Sequence, residues 1–239
     1  SFRAVGAGER PNLRGPSYPP RGYPIASLPH LTAETGGLYG LWVIGGMPKI
    51  GKSTLAWQIA LDVGRTLPVL FYDYENGFAV LMDRTATIYR GDLEAIREAT
   101  RNVYYADSIR SLDRDLAAVA SPALVVVDSI QKLPSSIEHK RQGLDRWMQR
   151  FEALKKRDYT VLLVSEIGRA YYGSDAYIGG YKETGEIEYT ADTGIQLIGD
   201  REGLAELHIV ANRHRRFRGF LTNLTRKRDW LWKEQHDED

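Results

Sequence analysis

The chain has 239 residues and carries 32 Lys and Arg against 31 Asp and Glu, for a net charge of +1. That is length enough for one α/β domain with a sizeable core, and a charge balance that neither demands nor excludes a nucleic-acid partner. No cysteine is present, which excludes disulfides, thiolate metal sites and cysteine nucleophiles. No apolar run approaches the roughly 20 residues that cross a bilayer, so no membrane partner is expected and the location expected is cytoplasmic.

The start at Ser1 rather than Met reads as a fragment or a processed chain. Residues 1–30 hold six of the ten prolines and very few large aliphatic side chains, a composition that predicts neither a helix nor a core. We therefore expect a proline-rich extended arm over 1–34. It is either a disordered tail or a strap lying on its own domain or on a neighbouring subunit. The folded domain is expected over 35–239.

The run "LYGLWVI" (38–44) predicts a buried strand. It leads into "GGMPKIGKST" (45–54), which matches G-x-x-x-x-G-K-[ST], the P-loop that cradles phosphates. Gly46 and Gly51 permit a tight backbone whose N–H groups turn on an anion. Between them Met47, Pro48, Lys49 and Ile50 form the loop. Lys52 can reach the β- and γ-phosphates, Ser53 can offer its hydroxyl to Mg²⁺, and Thr54 follows. Leu55, Ala56, Ile59, Ala60 and Val63 mark one face of a helix closed by Gly64. Strand, glycine loop and helix together are the setting in which the motif has meaning.

Further on, "LPVLFYDYE" (67–75) predicts a buried strand ending in Glu75, and "NVYYAD" (102–107) a weaker one. A short helix is expected over 112–120, and "ALVVVDS" (123–129) is an apolar strand ending in Asp128. Leu144, Trp147, Met148, Phe151 and Leu154 mark a helix face, and "YTVLLVSE" (159–166) predicts the next central strand. After Asp192 come "TGIQLIG", "LAELHIVAN", "GFLTNLT" and "DWLWK", short strands broken by glycine and charge. The predicted fold is α/β, with a mostly parallel central sheet, helices on both faces and a C-terminal antiparallel extension.

Ligands of open α/β sheets sit at the carboxyl ends of the strands. That rule gathers the P-loop, Glu75, Asp128 and Ser165 with Glu166 on one edge. Asp128 is the expected Mg²⁺ support. Glu75 and Glu166 are the candidates for the group that orients or deprotonates the attacking water; a solvated turn residue is the plainer alternative for Glu75, and Glu166 more naturally senses the γ-phosphate or passes its state to the next loop. Two loops leave the same edge. Residues 129–143 carry Lys132, His139, Lys140 and Arg141, and residues 167–192 carry Arg169, Lys182 and several tyrosines. Interleaved cations and rings suit single-stranded nucleic acid, while a charged surface loop folded over the core is the plainer alternative. "NRHRRFRG" (212–219) adds four arginines, which read either as a solvated or nucleic-acid-facing basic patch, the plainer reading for any one of them, or as the source of a trans-acting arginine.

The stretches "PKIGKSTLAWQIA", "VVVDSIQKL", "VLLVSEIGR" and "YKETGEIEYTAD" together resemble the RecA-fold P-loop ATPase domain of DnaB-type hexameric replicative helicases and of RadA/Sms repair ATPases. The resemblance runs from about Gly36 to Gly219. It implies ATP and Mg²⁺ as ligands, a homo-oligomer of hexameric-ring type, and single-stranded DNA as partner. By position it assigns phosphate and metal roles to Lys52, Ser53 and Asp128 and the catalytic glutamate to Glu75. "VANR" (210–213) matches K-Q-R or K-N-R of the family, which makes Arg213 the trans-acting finger and puts Ala211 where the family has Lys. The implied function is a DNA-dependent ATP-hydrolysing motor, a minimal helicase or a replication or repair ATPase. A nucleotide-dependent switch that answers to a protein partner is the alternative, and a small-molecule kinase a more distant one.

Overall fold

The computed structural model describes residues 22–135, 140–168, 190–199 and 203–235. In chain order these form α1 (Pro29–Thr35), β1 (Leu41–Gly46), α2 (Lys52–Val63), β2 (Val69–Asp73), α3 (Phe78–Ile88), α4 (Leu93–Thr100) and β3 (Val103–Ala106). There follow α5 (Leu112–Ala118), β4 (Ala123–Asp128), α6 (Lys140–Lys155), β5 (Tyr159–Glu166), β6 (Thr193–Gly199), β7 (Leu204–Asn212), β8 (Gly219–Arg226) and β9 (Trp232–Glu234). The strands make one nine-stranded sheet in the order β3-β2-β4-β5-β1-β6-β7-β8-β9.

Strands β3 to β6 in that order are mutually parallel, whereas β7, β8 and β9 turn back antiparallel. The expected extension is therefore present, with β6 as its parallel hinge onto β1. The central strands are apolar throughout because both faces of the sheet are covered. Trp42 and Ile44 of β1 and Leu124 and Val126 of β4 pack with α2 on one face. Leu41, Val43, Val125 and Val127 pack with α5 and α6 on the other. Successive side chains of a strand point to opposite faces, so each continuous run feeds two cores.

Of the expected arm, residues 1–21 lie outside the described residues, and the remainder is a strap on its own domain that includes a short helix where none was expected. Residues 22–35 lie folded on the domain, with Tyr23 bridged to Leu38 and α1 opened by Pro29 at its start. Ile25, Leu28 and Leu31 have no exposed surface and join the α2 side of the core. Proline at the first helical position costs nothing, because its missing N–H would have had no intrahelical partner. Three well-placed aliphatics are enough to anchor a segment whose average composition is poor in them.

Candidate functional site

The P-loop joins the carboxyl end of β1 to α2. No side chain caps α2, so its first-turn N–H groups face the loop as a ready anion site. Lys49 and Gly51 both take positive φ, 68° and 106°, which turns the backbone inward. At Gly51 a Cβ would come within 2.7 Å of the Trp232 ring, so glycine is required there for space as well as for conformation. Trp232 comes from β9, at the far end of the chain. Its indole N–H donates to the Gly51 carbonyl (3.2 Å), and its backbone N–H and carbonyl are both held by the Gln58 amide of α2 (2.8 and 2.9 Å). The antiparallel extension thus clamps the P-loop from below.

Lys52 is 7% exposed, and its ammonium donates to the Met47 carbonyl at 2.9 Å. Burial pushes its pKa down, opposed by the charges of Glu166, Asp128 and Glu75. These three carboxylates, far apart in sequence, therefore do gather around one lysine. Glu166 pairs in register with Gly46 across the β1–β5 ladder, which places it beside the mouth of the loop. Asp128 has no exposed surface. Burial raises its pKa to about 7, the Ser53 hydrogen bond and Lys52 pull it down, and Asp73 and Glu75 push it further up. Its Oδ1 is buried with no hydrogen-bond partner. A divalent cation next to Ser53 and Asp128 would resolve both features, so the residues fit Mg²⁺. Among the described residues no group of three or more His, Cys, Asp or Glu could hold a metal by itself. That is in keeping with an ion held largely by nucleotide oxygens.

Glu75 follows β2 in a turn built on Asp73. The Asp73 carboxylate, 3% exposed, accepts from the backbone N–H groups of Glu75, Asn76 and Gly77 at 2.9, 3.0 and 2.6 Å. The Asn76 side chain reaches from Asp73 toward Asp128 (3.3 and 3.4 Å). Sequence reasoning passed over Asp73, although an Asp followed by Asn-Gly three residues on is turn chemistry that could have found it. Glu75 itself accepts from the Ser129 hydroxyl at 3.0 Å and pairs with Lys132 at 3.1 Å.

Arg84 of α3 is a second residue the sequence did not single out. Its Nε and Nη1 are buried without partners, and burial pushes its pKa down against the pull of Asp128 and Asp73. Its guanidinium lies over Trp230 (4.8 Å), whose ring also meets Arg226 (5.4 Å), and Arg226 donates to Thr54 at 3.3 Å. Buried arginine donors with no acceptor, beside a P-loop, fit an anionic ligand.

Arg213 lies at the other end of the sheet. Asn212, the last residue of β7, pairs with Thr193, whose parallel neighbour is Trp42 near the start of β1, whereas the P-loop begins beside Leu197. At about 3.3 Å per residue, Arg213 is roughly 15–20 Å from its own P-loop, beyond the reach of its side chain. There it pairs with the buried Asp192 (3.2 Å), which also holds Lys155 (2.7 Å) and the Leu41 N–H (2.8 Å). Asn212 organises the turn that carries Arg213, accepting from Arg215 N and donating to the Phe217 carbonyl (3.0 and 3.3 Å). A cavity of about 560 Å³ opens beside this cluster, lined by Tyr39, Lys155, Asp192 and His214 among others. Arg215 folds over Gly36, and its Nε is buried without a partner.

Most of the proposed nucleic-acid loops, including His139, Arg169, Lys182 and the tyrosines at 171, 172, 177 and 181, lies outside the described residues. No helix among the described residues is long and apolar enough to cross a membrane.

Comparisons with known proteins agree with this architecture. The profile of the AAA domain family matches residues 25–170. The ATPase domain of G40P superposes with a TM-score of 0.72 at 16% identity, over 90% of this chain and 92% of that one. A DnaB-like replicative helicase, solved for its interactions with primase, gives 0.77 at 17% identity over 90% of this chain, which spans 62% of the helicase. The RadB recombinase gives 0.61 at 19% identity, over 87% and 97%. At these identities the likeness is one of fold, a RecA-like P-loop ATPase. No curated protein matches the sequence.

Proposed function

Because the chain belongs to the AAA domain family, we propose that it is a Mg²⁺-dependent ATPase acting on single-stranded DNA as a DnaB-like, hexameric-type ring. In this reading residues 35–239, with α1 packed beneath them, are the motor domain. The loop from Gly46 to Thr54 wraps the phosphates and Lys52 neutralises the β- and γ-oxygens. Ser53 and Asp128 would hold the ion, which when bound would offset phosphate charge. Glu75 takes a proton from water as the water oxygen bonds to the γ-phosphorus and the bond to the β–γ bridging oxygen breaks. Glu166 and Arg84 face the γ-phosphate side. Arg213 of a neighbouring subunit supplies the finger.

One observation supports the ring. Arg213 sits at the end of the sheet away from its own P-loop, on an exposed turn where it pairs with Asp192, so any phosphoryl group it serves belongs to another copy. Steady-state ATP hydrolysis with and without single-stranded DNA, with Lys52→Ala as blank, tests the proposal. Stimulation of about tenfold or more that collapses as salt rises supports it. Turnover indifferent to the strand, with no binding at low salt, would replace the motor by a switch that answers to a protein partner.

A further inference from the structure

Lys132 closes the short 3₁₀ turn Ile130–Lys132, the first residues of the loop that leaves β4. Its ammonium reaches back to the Glu75 turn with two contacts, the Tyr74 carbonyl at 2.9 Å and Glu75 Oε2 at 3.1 Å. Glu75 Oε1 meanwhile accepts from Ser129 at 3.0 Å. Both oxygens of the carboxylate are thus engaged by residues of one turn. The same turn carries Gln131, which donates to the wholly buried Ser165 hydroxyl at 3.0 Å. It therefore touches the ends of β2 and β5 together.

Resting on the motor reading above, we infer that Lys132 is a positioning residue that restrains Glu75, and that a phosphate of the single strand releases the restraint by taking Lys132 as its own partner. The exposures suit an exchange. The Lys132 side chain is 50% exposed and that of Glu75 35%, and an ion pair that open to solvent favours its closed form by only about fivefold or less. A phosphodiester can compete for such a lysine, with counterion release as the added drive. Once Lys132 has turned to the strand, Oε2 is open to the attacking water. Part of the coupling between nucleic-acid binding and hydrolysis, up to about fivefold, then runs through one side chain, with no movement of the P-loop.

The test uses the full chain carrying Lys132→Met, which keeps the length of the side chain and removes its charge, and Lys132→Arg, which keeps the charge. ATP turnover is measured with and without oligothymidylate. The expected result for Lys132→Met is strand-free kcat raised about two- to fivefold, an unchanged KM for ATP, and stimulation by the strand reduced by the same factor. Lys132→Arg restores the low strand-free rate, and Glu75→Gln abolishes turnover in every background. A role in folding alone would lower both rates and the melting temperature. Strand-free turnover that falls or stays level in Lys132→Met, with a wild-type melting temperature, overturns the restraint. A wild type that ignores the strand overturns the motor reading and the release step, while a raised strand-free rate in Lys132→Met still upholds the restraint on Glu75.

Discussion

Asn in place of Asp128 should make the ligand-free protein more stable, and increasingly so as pH rises. Burial holds the Asp128 pKa at about 7 against an ordinary value of 3.8. Between those two values the folded chain keeps a proton that the unfolded chain has released. Stability must then fall as pH rises from about 4 to about 7 and level off above that. At about 1.4 kcal/mol for each pH unit of the window, the ionised carboxylate costs the ligand-free fold on the order of 4 kcal/mol at neutral pH and above. Asn cannot ionise and keeps an acceptor for Ser53, so the variant escapes the cost. For a domain of this size the gain corresponds to roughly 8–15 °C in Tm near pH 8, shrinking to almost nothing near pH 4. Thermal unfolding in EDTA without nucleotide across that range reads it directly. Adding Mg²⁺ and a non-hydrolysable nucleotide should raise the wild-type Tm far more than that of the variant. A gain as large near pH 4 as near pH 8, or no gain at either, would refute the assignment of a strained, cation-seeking carboxylate.

Asp73→Ala leaves three turn N–H groups without their acceptor, and should cost about 2–3 kcal/mol by urea unfolding and lower kcat with little change in ATP affinity. Trp232→Ala should cost about 3–5 kcal/mol, and should also weaken ATP binding by calorimetry, because the indole meets the P-loop at Gly51. Leu28→Ala, at a site with no exposed surface, should cost about 2–5 kcal/mol, whereas an arm free of the domain would show no change. Arg213→Ala should abolish turnover and leave ATP binding intact. Mixing it with Lys52→Ala chains should restore part of the activity, since some interfaces then pair an intact P-loop with an intact arginine.

Local signals were strong where one stretch of chain makes one element. The P-loop motif, the apolar strands that lead to Glu75, Asp128 and Glu166, and the broken strands after Asp192 each depend on residues near in sequence. Their periodicity and turn chemistry survive in the linear text. The rule that ligands meet strand ends was enough to collect the carboxylates on one edge, because a parallel sheet carries all its strand ends to the same side.

Contacts between distant residues were decided by packing. Nothing in "DWLWK" announces that Trp232 will support Gly51, or that Gln58 will hold it there. α1 folds because Ile25, Leu28 and Leu31 meet the α2 core, a gain that composition averaged over a proline-rich stretch conceals. Arg84 acquires its unpartnered donors only when α3 lies against the P-loop helix and Trp230 covers it. Lys132 looked like one loop cation among several until the turn after β4 set its ammonium on Glu75. Sequence determined which chemistry was available and on which strands it sat, because backbone patterning is local. Tertiary structure alone decided what each charged group faces, because burial and pairing depend on segments that the chain brings together only on folding.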